Sequence, residues 1–153
     1  MADGTLVHAT CVAIGDKGVL IRGASGAGKT QTALTLLRRA RAGAIEARFV
    51  SDDQTLLEGA GEPPHLIAQC PEPIRDNFEV YGYGIVHDPA LFTPSATIML
   101  VADLVEDNSV QRTRPQLDTV IMDVEIAHLM LPLRNSALCA AAISAALGFS
   151  AMR

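Results

Sequence analysis

The stretch Gly23-Ala24-Ser25-Gly26-Ala27-Gly28-Lys29-Thr30 matches the phosphate-loop pattern G-x-x-x-x-G-K-[ST] at every fixed position. Its glycines let consecutive backbone N–H groups turn inward around phosphate oxygens, and the following helix points its positive end at the same anion. Lys29 supplies a mobile positive charge for the terminal phosphates, and Thr30 offers a hydroxyl to Mg²⁺. Gly23 to Thr30 are therefore predicted to bind ATP or GTP.

The residues on either side of this loop have the composition that a phosphate loop needs. Val19-Leu20-Ile21 is a short apolar run typical of a buried strand. After the loop, apolar residues fall at helical spacing, namely Ala33, Leu34, Leu37 and Ala40. Gly43 is a plausible C-terminal cap of that helix. A chance glycine turn is the alternative interpretation, and the strand and helix around it argue against that.

Further short apolar runs alternate with polar loops along the rest of the chain. The predicted strands are Phe49–Val50, Ile98–Leu104, Val120–Val124 and Leu129–Leu133. The segment from Glu106 to Pro115 is predicted as a loop, and Asn135 is predicted to cap a final helix that ends near Gly148. The pattern is typical of an α/β fold in which residues 1–153 form a single domain.

The composition excludes several classes of protein. With 153 residues, 49% hydrophobic and 19% charged, the chain is neither disordered nor long enough for a two-lobed kinase. A net charge of −5 and an aromatic content of 4% argue against nucleic-acid binding. The longest apolar stretch, Ala137 to Leu147, is too short to span a bilayer, so no membrane association is expected.

Cysteine and histidine positions give no sign of a disulfide or a zinc site. Cys11, Cys70 and Cys139 are scattered and odd in number, which fits a reduced compartment and small core residues. His65, His87 and His128 lack metal-ligand spacing and are assigned no role. Together with the lack of a signal peptide at the N-terminus, this predicts a cytoplasmic protein.

Acidic residues that hold Mg²⁺ or accept a proton complete a phosphoryl-transfer site. Asp52 and Asp53 follow a predicted strand, where such acids lie in α/β sheets. Neighbouring residues of a strand point to opposite faces, so one carboxylate can face the metal and the other the nucleophile. Solvated turn aspartates are the alternative. Glu79 is ambiguous between a surface residue and a site residue, and a lone histidine such as His8 is more often structural.

Five segments in this order resemble the catalytic domain of HPr kinase/phosphorylase, a bacterial enzyme that phosphorylates the phosphocarrier protein HPr on a serine. The segments are His8-Ala9-Thr10-Cys11-Val12, Gly18 through the phosphate loop, Ser51-Asp52-Asp53, Phe78 to Val86, and Leu131-Pro132-Leu133-Arg134-Asn135 with the alanine-rich helix. The resemblance implies a P-loop domain with a mixed sheet flanked by helices. It also implies ATP and Mg²⁺ as cofactors and an HPr-like protein as partner, with regulation of the phosphotransferase system as the setting.

The resemblance assigns roles to individual residues. His8, Lys29, Asp52 and Arg112 are predicted to be catalytic, with Asp52 accepting the serine proton in the kinase direction and donating it in reverse. Arg114 competes with Arg112 for the place of the loop arginine. The predicted metal ligands are Thr30, Asp53 and Glu79, and ATP is expected to lie on Gly23, Ala24, Ser25, Gly26, Ala27, Gly28, Lys29 and Thr30. Arg134 and Asn135 match a segment linked with dephosphorylation.

The chain also departs from the family pattern. The family's N-terminal domain is expected to be absent, and the shortened C-terminal helices put its hexameric homo-oligomer in doubt. Tyr81 stands where the family has arginine, and Leu133 stands where a glycine precedes Arg134. Both changes lie in segments tied to the reverse reaction, which predicts weaker phosphorylase than kinase activity. The alternatives are a regulatory nucleotide-binding module that has lost turnover and a small-molecule P-loop kinase.

Overall fold

The computed structural model describes residues 4–110 and 118–149. Within these residues, the two α-helices are α1 (Lys29–Ala42) and α2 (Ser136–Leu147). The strands are β1 (Thr5–Val7), β2 (Ala9–Ile14), β3 (Lys17–Arg22), β4 (Ala47–Ser51), β5 (Thr55–Ala60), β6 (His65–Gln69), β7 (Asn77–Val80), β8 (Gly84–His87), β9 (Ser95–Val105), β10 (Asp118–Ile121) and β11 (Val124–Pro132). The predicted α/β class, with a mixed sheet and flanking helices, is confirmed.

Strand β9 is the centre of the large sheet, because three other strands pair with it. It runs parallel to β3 and to β11, and its first residues pair antiparallel with β6. From β3 the sheet continues through β2 to β4, and from β6 it continues through β5 to β1. β10 pairs with β11, while β7 and β8 form a separate hairpin.

The strand directions bring the ends of four strands to one edge of the sheet. β2 is antiparallel to both β3 and β4, so β3, β4, β9 and β11 all run the same way. Their carboxyl ends therefore meet at one edge, which is where ligands bind in sheets of this kind. The phosphate loop follows β3 at that edge, and Asp52 follows β4.

Two apolar cores cover the two faces of the central strands. On one face, α1 and α2 pack against β3, β9 and β11, with Leu36 and Ile143 fully buried. On the other face, β5 and β6 fold over the sheet and bury Leu57 and Leu66 against Leu20. Both helices begin at the edge where the carboxyl ends of the parallel strands meet, because α1 follows β3 and α2 follows β11.

Some element boundaries differ from the sequence prediction. The predicted strand Val120–Val124 is wrong, because it spans the turn between β10 and β11. Met122 and Asp123 both have positive φ there, at 50° and 65°, and no glycine marks the turn in the sequence. The predicted strand Leu129–Leu133 covers only the second half of β11 and extends one residue beyond its end at Pro132. α1 with its cap at Gly43, and α2 with its caps at Asn135 and Gly148, are confirmed.

An ion cluster lies at the same edge of the sheet, on the face away from the helices. The Arg22 guanidinium donates two hydrogen bonds to Asp103, from Nε to Oδ1 at 2.7 Å and from Nη2 to Oδ2 at 2.8 Å. His128 Nε2 lies 2.6 Å from Asp103 Oδ2. Burial raises the pKa of Asp103, but the hydrogen bonds and charges of Arg22 and His128 outweigh it and hold this pKa below its usual value. His128 thus has a structural place, although the sequence assigns it no role.

Because the folded-state pKa of Asp103 is lowered, its ionised form should stabilise the fold above the unfolded-state pKa of about 3.9. That contribution is lost as the pH falls through the folded-state pKa. We therefore expect Asp103→Asn to lower the free energy of unfolding at pH 7, and the difference from the unmodified chain to shrink below about pH 4. Urea unfolding from pH 3 to 7 measures this, with the exposed Asp16→Asn as control. An equal loss at every pH would contradict it.

Candidate active site

The phosphate loop has the backbone geometry of an anion cradle. Gly26 and Gly28 have φ of 80° and 98°, a region that other residues rarely adopt. Gly28 is also the N-cap of α1, so no side chain covers the first turn of that helix. A Cβ on Gly28 would lie 3.4 Å from the Cα of Arg134. The glycines thus leave the amide groups and the positive end of α1 open to phosphate oxygens.

Lys29 folds back onto the loop that precedes it. Its Nζ donates hydrogen bonds to the backbone oxygens of Gly23 at 2.9 Å and Ala24 at 3.1 Å, and it lies 3.9 Å from Asp53 Oδ1. The side chain is only 5% exposed. The ammonium group is thus held at the phosphate loop by neutral acceptors, beside one carboxylate.

Asp52 is buried at the end of β4 and accepts hydrogen bonds on both carboxylate oxygens. Its Oδ1 accepts from the hydroxyls of Thr10 at 2.8 Å and Thr30 at 2.7 Å, and its Oδ2 accepts from the backbone N–H of Glu79 at 3.1 Å. The residue is 5% exposed. Asp52 therefore fixes the orientation of the Thr30 hydroxyl, which the sequence predicts to be a ligand of Mg²⁺.

Asp53 differs from Asp52 in exposure and in its neighbours. Its side chain is 63% exposed, and its Oδ1 lies 2.7 Å from His8 Nε2. His8 immediately precedes β2, which begins at the same edge of the sheet. The φ of Asp53 is 66°, so the chain turns sharply here and directs the two neighbouring carboxylates to different surroundings. Asp53 is the one that a second molecule can reach.

The β7–β8 hairpin forms a wall beside these acids. Glu79 and Tyr81 line the same cleft as Lys29 and the two aspartates, and Phe78 anchors the hairpin by stacking on Phe49 at 5.0 Å between ring centroids. Tyr81 is 98% exposed. The structure thus brings Glu79 to the cleft, although the sequence alone leaves its role ambiguous.

The segment after β11 closes the other side of the phosphate loop. The backbone N–H of Arg134 donates to the carbonyl of Ala27 at 2.9 Å, and Ser136 begins α2 at the edge of the cleft. The Asn135 side chain caps α2 by accepting from the N–H of Leu138 at 3.2 Å. Arg134 is exposed and lines the cleft, which adds a second cation to it.

The cleft that these residues enclose has a volume of about 770 Å³. Its size is that of a small-molecule site, and its lining combines phosphate-loop amides, a lysine, a hydroxyl and three carboxylates. Mg²⁺ is held in proteins by one or two carboxylates together with phosphates and water, so this donor set fits a nucleotide with its magnesium ion. Within residues 4–110 and 118–149, no cluster of three or more His, Cys, Asp or Glu side chains forms a metal site on its own.

Several residues singled out in the sequence lie outside the cleft or outside the described residues. Arg112 and Arg114 lie outside the described residues. Cys11 and Cys139 are buried as predicted, whereas Cys70 is only partly buried and its sulfur lies 3.3 Å from the Ser51 hydroxyl. The sequence assigns Thr10 no role of its own, although a lone threonine in the otherwise apolar strand β2 is a signal in the sequence.

Residues 1–152 match the family described as the HPr Serine kinase C-terminal domain. The chain belongs to this family. The family membership that the five sequence segments predict is thus confirmed.

Relatives with known names agree with the family match. An HPr kinase/phosphorylase from Geobacillus thermodenitrificans is 36% identical over 143 residues, which are 88% of this chain and 44% of the relative. One from Geobacter sulfurreducens is 34% identical over 139 residues, which are 85% of this chain and 41% of the relative. The chain therefore spans less than half the length of these relatives.

The fold also matches a solved structure. The Hpr(Ser) kinase/phosphatase from Coxiella burnetii superposes with a TM-score of 0.77, covering 94% of this chain and 90% of that one. The sequence identity is 21%, so this likeness concerns the fold. Among the described residues, no helix combines the length and the apolar character needed to cross a membrane.

Proposed function

We propose that this chain transfers a phosphoryl group from ATP to a serine hydroxyl of an HPr-like phosphocarrier protein. The observation that carries the proposal is the meeting of the phosphate loop with Asp52, Asp53 and Glu79 in one cleft, on a domain of the HPr Serine kinase family. In phosphoryl transfer the protein mainly positions groups and neutralises charge. The cleft contains residues suited to each of these tasks.

The geometry favours particular roles for the two aspartates. Asp52 is buried against Thr30, so it suits the metal side of the site, where it holds the hydroxyl that faces Mg²⁺. Asp53 is exposed beside His8 and Lys29, so it suits the proton acceptor for the incoming serine. This reverses the assignment that the resemblance gives to the two residues. Both assignments are predictions, and the variants Asp52→Asn and Asp53→Asn separate them.

The remaining residues of the cleft would hold the nucleotide in place. ATP would supply the phosphoryl group, and Mg²⁺ would neutralise part of the negative charge on its phosphates. Gly23 to Thr30 would surround its phosphates, and Lys29 would exchange its carbonyl partners for phosphate oxygens. Glu79 lies where it can complete the metal surroundings from the β7–β8 hairpin. Arg134 would add positive charge at the phosphate loop.

The rim of the cleft supports a protein as the acceptor rather than a small molecule. Tyr81, Tyr83 and Ile85 project from the β7–β8 hairpin and are largely exposed. Exposed aromatic side chains are enriched where proteins bind each other. Tyr81 lines the same cleft as Asp53. A protein bound on this hairpin would therefore bring the hydroxyl of its own serine close to Asp53.

Incubation of the chain with ATP, Mg²⁺ and HPr-like proteins of the same host tests the proposal. We expect phosphoserine on one of these proteins, detected by mass spectrometry, and no product when Mg²⁺ is chelated. ATP binding without transfer to any of them would instead indicate a nucleotide-binding regulatory module. Transfer to a small metabolite would indicate a small-molecule kinase.

Reverse reaction and assembly are part of the same proposal. By the resemblance, Tyr81 stands in place of an arginine and Leu133 in place of a glycine, in segments linked with dephosphorylation. We therefore expect phosphate-dependent release of pyrophosphate from phosphoserine-HPr to be slower than phosphorylation. Initial rates in the two directions measure this, and equal rates would contradict it. We also expect the chain to form a homo-oligomer, which analytical ultracentrifugation would detect as a mass above that of one chain.

A further inference from the structure

We propose that Thr10 is a positioning residue that sets the relative placement of the two active-site aspartates, an inference that rests on the function proposed above. Thr10 is fully buried in β2, and its side chain contacts both aspartates at once. Its hydroxyl donates a hydrogen bond to Asp52 Oδ1 at 2.8 Å and accepts one from the backbone N–H of Asp53 at 3.1 Å. A single buried oxygen thereby joins the side chain of one acid to the backbone of the other.

The pairing of the surrounding strands explains why the hydrogen bonds of Thr10 are needed. β2 and β4 are paired with a register shift, in which Cys11 lies opposite Ser51 and Val12 lies opposite Phe49. The extra residue, Val50, is a bulge, and bulges next to active sites redirect the side chains that follow them. Since regular pairing ends here, sheet hydrogen bonds do not continue to Asp52 and Asp53. The Thr10 hydroxyl supplies the contact that the sheet does not.

The same hydroxyl also acts on the metal side of the site. Asp52 Oδ1 accepts from Thr10 and from Thr30, so the two threonine hydroxyls share one carboxylate oxygen. Loss of the Thr10 bond would leave the Asp52 carboxylate held only by Thr30 and by the N–H of Glu79, so we expect the carboxylate and the Thr30 hydroxyl to shift. The N–H of Asp53 would also lose its acceptor, at a residue whose φ is 66°. Residues that orient metal-binding groups in this way commonly change activity or metal affinity by about 10- to 100-fold when replaced.

Thr10→Val tests the inference, because valine has the same shape and lacks the hydroxyl. We expect the Mg²⁺ concentration for half-maximal transfer to rise about tenfold and kcat to fall by a similar factor. Isothermal titration of ATP with and without Mg²⁺ gives a readout that is independent of turnover. In it, the gain in ATP affinity due to Mg²⁺ should fall about tenfold. Thr10→Ser keeps the hydroxyl and is expected to restore both values to near those of the unmodified chain.

Thr55→Val is the matched control. Thr55 is also fully buried, and its hydroxyl donates to the backbone oxygen of Ala9 at 2.9 Å, so Thr55→Val removes a similar buried hydrogen bond that involves neither aspartate. We expect Thr55→Val to lower the unfolding temperature without changing the Mg²⁺ dependence. If Thr10→Val behaves like Thr55→Val, or if Thr10→Ser fails to rescue, the inference is wrong. If the unmodified chain transfers no phosphate, the proposed function fails, and the Mg²⁺-dependent ATP affinity still decides the role of Thr10.

Discussion

Replacing Asp53 by asparagine is expected to lower the rate of phosphoryl transfer to the serine hydroxyl by about 10²- to 10⁴-fold, the range that a general base contributes. Asparagine still accepts a hydrogen bond from His8, but it cannot take up the serine proton. It also tolerates the left-handed backbone at this position, where φ is 66°, so the turn should remain intact. Single-turnover measurements with the phosphocarrier protein determine the rate.

ATP affinity separates this effect from a general disturbance of the site. Asp53 is exposed, and its contact with the phosphate loop is a 3.9 Å ion pair with Lys29, which two backbone carbonyls also hold. We therefore expect Asp53→Asn to change ATP affinity by no more than about threefold, which is about 0.7 kcal/mol. Asp52→Asn is the comparison variant. It removes the charge next to Thr30 and is expected to raise the Mg²⁺ requirement. If Asp52→Asn instead abolishes transfer at saturating Mg²⁺ while Asp53→Asn remains active, the roles are those that the sequence resemblance assigned.

The phosphate loop and α1 could be predicted from the sequence because their determinants are local. The glycine pattern and the Lys29-Thr30 pair occupy eight consecutive residues, and the apolar face of α1 follows within the next turns. Each residue's role there depends on neighbours a few positions away. The same is true of α2, whose Asn135 and Gly148 caps lie next to the helix that they end.

The arrangement of the acids could not be predicted in the same way. The sequence identifies Asp52 and Asp53 as candidates, but the buried place of Asp52 involves distant residues: it accepts a hydrogen bond from Thr10, which is 42 residues earlier in the chain. That contact exists only because β2 pairs with β4 through a bulge. Propensity and periodicity describe single segments, so they do not determine which distant strand supplies a hydroxyl.

The central strand illustrates a second limit. The sequence indicates a strand at Ile98–Leu104, and the observed β9 is longer because its first residues pair with β6 and its later ones with β3 and β11. An apolar run shows that a strand is buried, but it does not show that the strand changes partners along its length. The sequence does not indicate the turn at Met122 and Asp123 for a related reason, since its positive φ values go with the pairing of β10 with β11.

Replacing Lys29 by methionine is expected to lower phosphoryl transfer by more than about 10²-fold, because it removes the charge predicted to stabilise the terminal phosphates. In contrast to Asp53→Asn, it is also expected to weaken ATP binding, which titration calorimetry measures. Methionine is similar in length and has no charge to bury. The lysine it replaces is 5% exposed and held by two backbone carbonyls.

Lys29→Met should therefore lose phosphoryl transfer without a comparable loss of stability. Burying an ammonium group has a desolvation cost that methionine does not have, and this offsets the loss of the hydrogen bonds to Gly23 and Ala24. We expect the unfolding temperature to change by less than about 4 °C. Lys29→Arg keeps the charge but replaces a compact ammonium by a wide planar group, so its rate should lie between those of Lys29→Met and the unmodified chain. If Lys29→Met transfers phosphate at the unmodified rate, the ammonium group has no part in the reaction. If it instead unfolds, the two carbonyl contacts hold the loop together and the charge must be tested through Lys29→Arg.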